Sequence, residues 1–192
     1  MDARARLLEA TWQQVRAGGL AAATSRAITD TAEVNLGAIT YYFGSKDALV
    51  AEALVGRIKA LIEPALLMLA ADGLDPAGRV LGAAAQLQAS LEASAEDAAG
   101  YLEAILQSRH GGPLGEAVRQ LFAELRVALA GQMADLQASG YLADWVEPDA
   151  MAGLLLAVAQ GVVGQIIADP AGPSHGQMAA QFVQLLLAVR TR

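Results

Sequence analysis

Apolar residues recur at spacings of three and four along almost the whole chain, and no stretch alternates at period two with β-branched enrichment. The most regular stripe runs Leu114, Val118, Leu121, Leu125, Leu129, Gln132 and Leu136, which lie on one face of one long helix. Glycines, prolines and capping residues cut the remainder into shorter pieces. Leu8, Trp12 and Val15 share a face, and Gly18-Gly19 supply a stop. Thr24 caps a short helix reaching Ala32, with Ile28 inward. Asn35 caps a second, which runs to Phe43 and is broken by Gly44. Ser45 caps a long helix that places Leu49, Ala53, Leu54, Ile58, Leu61 and Ile62 inward, with Asp47 at the positive end of its dipole. Further helices are expected at about 77–94, 96–109, 148–168 and 174–190. The fold class is all-α, with about nine helices.

Such a chain must also cover itself with polar surface, and here it is short of material. Apolar residues make up 55% of the sequence and charged ones only 17%, against a usual ~25%. Part of the exterior is therefore expected to be hidden by a second copy, making a homodimer. The source of the excess is plain in residues 150–168, which carry no charge over a length that could span a bilayer. Gln160 and Gln165 suit lipid poorly, and no basic residue lies close to either end. Gly153, Ala157, Gly161 and Gly164 form one small-residue stripe that lets two helix backbones approach closely. The run is read as an interface helix, joined there by Phe182 and Leu186 of the last helix; a membrane-associated protein is the alternative. The first residues offer no uninterrupted apolar stretch of a secretory signal, and the expected address is cytoplasmic.

Several chemistries are excluded. Without cysteine there is no disulfide framework, thiolate metal site or thiol nucleophile, and two histidines leave little for a metal centre. No phosphate-binding glycine loop or nucleophile elbow occurs, and no serine, carboxylate and histidine set surrounds His110. That histidine, next to Gly111-Gly112, reads as a surface turn, and Glu96-Asp97 as a helix start. No enzymatic activity and no cofactor are expected.

Charge is unevenly shared. Residues 1–46 hold five Lys/Arg against four Asp/Glu, whereas residues 47–192 hold eight against sixteen. A first domain at 1–46 and a second at 47–192 are expected. Within the first, a capped short helix, the turn Glu33-Val34-Asn35 and a second short helix make a helix-turn-helix. The second helix of such a motif lies in the DNA major groove. Ile39 and Phe43 point inward, leaving Asn35, Leu36, Ala38 and Thr40 for base edges, with Gly37 allowing close approach to the backbone. Tyr41, Tyr42 and Lys46, with Thr24 and Arg26, suit phosphate contacts. Arg4 and Arg6 either touch DNA or stay solvated, and Trp12 is expected in the core.

At these residues the chain resembles the tetracycline-repressor (TetR) family of bacterial transcriptional regulators. The likeness covers about residues 5–55, and its specific block is Gly37 through Leu49, where glycine, aromatic pair, cap and lysine fall in order. The resemblance implies a dimeric, ligand-responsive repressor of a palindromic double-stranded DNA operator, with an all-helical ligand-binding and dimerisation domain. It implies that Tyr41, Tyr42 and Lys46 hold phosphates, and that Asn35, Leu36, Ala38 and Thr40 lie nearest the bases. Two positions depart from the pattern. Glu33 stands where the family usually has glycine, and Leu36 where a polar or basic side chain is common. A small-molecule effector, apolar or aromatic, is expected among the helices between about Ile58 and Gln160. Candidate lining residues are Met68, Tyr101, Gln107, His110, Phe122, Trp145 and Gln160. A helical small-molecule-binding protein without DNA binding is the remaining alternative.

Overall fold

The computed structural model describes residues 2–94, 97–107 and 109–188, and among these the structure is helical, with no strand. The helices are α1 (Ala3–Ala22), α2 (Ser25–Ala32), α3 (Gly37–Phe43), α4 (Lys46–Leu69), α5 (Pro76–Ala93), α6 (Ala98–Gln107), α7 (Pro113–Ala138), α8 (Pro148–Ala168) and α9 (His175–Ala188). Packing groups the chain into two compact units. Unit 1 is Met1–Lys59 with Glu96–Leu121, and unit 2 is Ala60–Ala95 with Phe122–Arg192. Helices α4 and α7 therefore each supply one part to either unit.

In unit 1, α1 begins with Asp2 accepting from the Ala5 N–H at 2.7 Å. Its buried face is Leu7, Ala10, Thr11, Trp12 and Val15. The centre of the face is Leu7 and not Leu8, which is half-buried. Gly18-Gly19 also act differently from a simple stop. The backbone leaves helical geometry there, with Gly19 at φ 71, and resumes for Leu20 to Ala22. The Glu103 carboxylate of α6 accepts from the Leu20 N–H at 3.0 Å, so a distant helix satisfies a donor that the break orphans.

A second acid of the same region makes a comparable contact. Asp97, just before α6, accepts from Trp12 Nε1 at 3.2 Å and from Arg57 Nη2 at 3.1 Å, while the guanidinium lies 5.2 Å from the Trp12 ring centroid. The sequence offered Asp97 only as a helix start; its partners are 40 and 85 residues away. Glu96 lies outside the described residues. Gly100 sits beneath Trp12, where a Cβ would come within 3.0 Å of Trp12 Cη2 and 3.2 Å of Val15 Cγ1.

Unit 2 is built around Leu69, Met133 and Leu136, ringed by partly buried Val80, Ala83, Leu129, Tyr141, Leu142, Met151 and Leu155. Helix α7 ends at Gly140 (φ 77), with the Gly140 N–H donating to Gln137 O and the Tyr141 N–H to Leu136 O. That is a Schellman ending, which tucks the residue after the glycine against the last turn. The Gln137 amide then donates to the carbonyls of Ala143 and Val146, holding the following loop. Helix α9 packs on α5 and α8. Helix α8 is long and apolar enough to cross a membrane by length and composition, and only 11% of its apolar window is buried within the chain.

Two outcomes follow for unit 1. Gly100→Ala should lower the unfolding free energy by about 1–3 kcal/mol, measured by urea denaturation, because the indole cannot retreat. Burial pushes the Tyr101 hydroxyl up to about 12. Its unfolded counterpart ionises near 10, so the folded state loses stability as pH rises from about 10 to 12. Tyr101→Phe should remove that slope, worth up to ~2–3 kcal/mol at pH 12, in denaturation curves taken across this range.

Candidate nucleic-acid interface

Helix α2 starts with the Thr24 hydroxyl oxygen accepting from the Ala27 N–H at 3.2 Å, as the sequence expects. Ile28, Thr29 and Ala32 are buried beneath it. Its last turn closes with the Val34 N–H on Thr29 O at 3.1 Å and with Glu33 left-handed at φ 52, ψ 49. Glu33 is the one non-glycine residue at positive φ among those described. It occupies the position a glycine would hold without strain, at a cost of about 1 kcal/mol.

Asn35 Oδ1 accepts from the Ala38 N–H at 3.0 Å and so caps α3. A Cβ on Gly37 would stand 3.3 Å from that oxygen, a close approach that glycine avoids. Gly44, at φ 76, stops the helix, and the Ser45 hydroxyl oxygen accepts from the Ala48 N–H at 3.1 Å to open α4. Between these fixed points Ile39 faces inward, 4% exposed. Phe43 is half-buried, with the Arg4 guanidinium 5.1 Å from its ring centroid.

The opposite side of α3 is open. Tyr41 is 82% exposed, Leu36 60% and Tyr42 40%, and Asn35, Gly37 and Thr40 are exposed as well. Ala38 is half-buried. The two tyrosines meet edge to face, with ring centroids 4.8 Å apart. A shallow groove of about 550 Å³ is lined by Ala3, Glu33, Val34, Asn35, Gly37, Ala38, Tyr41 and Tyr42. The Lys46 ammonium lies 3.5 Å from the Asp47 carboxylate, with its side chain 41% exposed. Thr24 and Arg26 are exposed on α2. All ten expected contact residues therefore belong to unit 1 and to two short helices and their flanks.

Arg4 is exposed, pairs with Glu52 and lies over the Phe43 ring. Arg6 has its Nε buried without a partner. The Arg4 contacts are not legible along the chain, because they depend on where α4 and α3 lie against α1.

The expected effector residues do not share one unit. Tyr101, Gln107 and His110 belong to unit 1, and Met68, Phe122, Trp145 and Gln160 to unit 2. Tyr101 is buried, His110 is exposed on its turn, and Trp145 is exposed. Of the expected interface residues, Ala157 and Gly161 are exposed, and Gly153, Gly164 and Phe182 are half-buried. A Cβ at Gly153 or Gly161 would meet nothing within 4 Å. The Leu186 side chain lies outside the described residues.

Residues 7–53 match the family described as bacterial regulatory proteins, tetR family. Over its whole length the chain also superposes on solved regulators of low sequence identity. A transcriptional regulator from Rhodococcus sp. Rha1 is 23% identical with a TM-score of 0.73, covering 98% of each chain. Reduced NemR of E. coli is 18% identical at 0.80, covering 99% of this chain and 98% of its own. The ketosteroid transcriptional regulator KstR2 of Mycobacterium tuberculosis is 21% identical at 0.67, covering 100% and 96%. No curated protein matches the sequence. Residues 7–53 are thus similar to the tetR family of bacterial regulatory proteins, and the whole length has the fold of these solved structures.

Glu33→Gly should raise the unfolding free energy by up to ~1 kcal/mol in chemical denaturation, since glycine relieves the left-handed strain but adds unfolded-state entropy.

Proposed function

We propose that the protein is a homodimeric transcriptional regulator, a repressor that leaves a palindromic operator when a small molecule binds its C-terminal part. The observation that carries this reading is the open face of α3, whose polar and aromatic side chains point away from the core while Ile39 anchors the helix. The capping bonds leave the right atoms available. Asn35 spends its oxygen on Ala38, so its amide N–H groups remain for an acceptor on a base or phosphate. Thr24 spends an oxygen lone pair on Ala27 and keeps its O–H donor.

In this reading Asn35, Leu36, Ala38 and Thr40 meet base edges, with Gly37 close to the sugar-phosphate chain. Thr24, Arg26, Tyr41, Tyr42 and Lys46 hold phosphates and set the register. Leu36 offers only apolar contact, suited to a thymine methyl group. Net acidity over residues 47–192 disfavours DNA on the remainder of the chain.

The second copy is expected against α8 and α9. Gly153, Ala157 and Gly161 lie beside exposed Leu154, and exposed Ile167 and Leu185 extend the apolar surface. Covering this surface with a second copy accounts for the shortage of charge and needs no bilayer. A dimer places two recognition helices ~34–36 Å apart, one turn of B-DNA. Helix α4 connects the two ends of the mechanism, because it begins with Lys46 and carries Pro64, where one backbone helix bond is missing. An effector that binds one state better by 1–3 kcal/mol shifts operator affinity about 5–150-fold. The protein is expected to work in the cytoplasm, as a binder and not as an enzyme.

Selection of the protein against random duplex DNA should enrich one inverted repeat with half-sites about one turn apart. Lys46→Ala and Tyr42→Phe should then weaken all sequences alike, and Lys46→Ala should reduce the salt slope by about one. Thr40→Ala should change base preference at one position of each half-site. An unaltered affinity and salt slope for Lys46→Ala would contradict the phosphate role.

A further inference from the structure

From the core of unit 2 we infer that its ligand is an amphipathic carboxylate, an apolar body with one carboxylate that is held by Arg79 and Tyr141. The inference rests on the proposal that the C-terminal part receives a small effector, and it names the chemistry of that effector.

Tyr141 supplies the first observation. The Schellman ending of α7 fixes its backbone through the N–H bond to Leu136 O and packs its ring against the Leu69, Met133 and Leu136 cluster. This packing needs only an apolar ring. The hydroxyl is nevertheless shut off from solvent and has no hydrogen-bond partner among the described residues. A buried polar group left unpaired is costly, and phenylalanine would make the same contact without the cost. An acceptor brought by a ligand supplies the missing partner.

Arg79 supplies the second. It lies beside Val80 of the same cluster and is partly buried. Its Nε donates to Leu69 O at 2.6 Å and its Nη2 to Gln132 Oε1 at 2.8 Å, both neutral acceptors. Among the described residues no carboxylate pairs with it, whereas Arg4, Arg57, Arg119 and Arg126 each have one. A partly buried guanidinium without an acid calls for an anion, and its planar fork fits a carboxylate. The contact with Leu69 O caps the end of α4, and among the described residues Nη1 has no hydrogen-bond partner.

Tyr141 packs on one apolar cluster and Arg79 bonds to the carbonyl of its member Leu69, while outer members of the cluster, Leu129 and Met151 among them, are only partly buried. These apolar side chains suit a hydrocarbon or aryl body. Arg79 requires a negative charge at its head, and Tyr141 adds one O–H donor.

The test is isothermal titration calorimetry on the full-length protein with sodium decanoate and 4-phenylbutyrate, set against 1-decanol and 4-phenyl-1-butanol. At least one carboxylate should bind once per protomer, about tenfold tighter than its alcohol. Tyr141→Phe, which loses no partner in the free protein, should keep its thermal stability and bind the carboxylate about fivefold more weakly. Arg79→Gln should abolish the preference for carboxylate over alcohol. If that variant fails to fold, Arg79→Lys keeps the charge and loses the fork, and should reduce the preference by severalfold. The inference is overturned if neither carboxylate binds, if acid and alcohol bind alike, or if the preference survives both substitutions. No DNA is present in the titration, so a failure of operator binding does not alter its result, and a failure here leaves operator binding intact.

Discussion

A helix of seven residues does not persist in water by itself, because the cost of nucleation exceeds the few backbone bonds it gains. The presence of α3 therefore depends on what fixes its two ends and its inner side. Asn35 caps one end, Gly44 turns the other, and Ile39 is buried beneath the middle. Each restraint uses a different part of the helix, and none consumes the outer face. The exposed row from Leu36 to Tyr42 is what remains after the helix has been secured. A helix proposed to read DNA must be rigid without being covered, and a short capped helix on a buried isoleucine meets both demands.

The rest of unit 1 extends the same economy. Helix α1 buries Trp12, and the indole N–H needs an acceptor inside the fold. Asp97 provides it and is itself held by Arg57, so three stretches of chain are joined through one carboxylate. Glu103 satisfies the amide orphaned at the Gly18-Gly19 break in a similar way. Gly100 allows the close approach that both contacts require. Two acids and a glycine on and beside a ten-residue helix thus hold α1, the helix on which α2 and α3 pack.

Unit 2 differs in how much of its apolar surface is left uncovered. Its central cluster is small, and α8 buries little of its apolar length within the chain. An unpaired phenol and an arginine without an acid lie at the border of that cluster. In the proposed reading a second copy and a ligand cover these surfaces, and the free chain bears their cost in stability.

Sequence alone determined what is local. Helix spacing gave the class, and side-chain chemistry within three residues gave the caps at Thr24, Asn35 and Ser45. The left-handed turn at Glu33 was legible only through the resemblance, which puts a glycine at that position. The partners of Arg4 and Asp97 were not legible, since they lie 40 to 85 residues away and exist only once α1, α4 and α6 have packed. Nor did the candidate effector residues, chosen by type along the chain, identify Arg79 and Tyr141. Their significance lies in partners they lack, and a missing partner can be recognised only when the neighbours are in place. Periodicity and capping act within one turn of helix, whereas desolvation and charge pairing are decided by whatever the fold brings alongside.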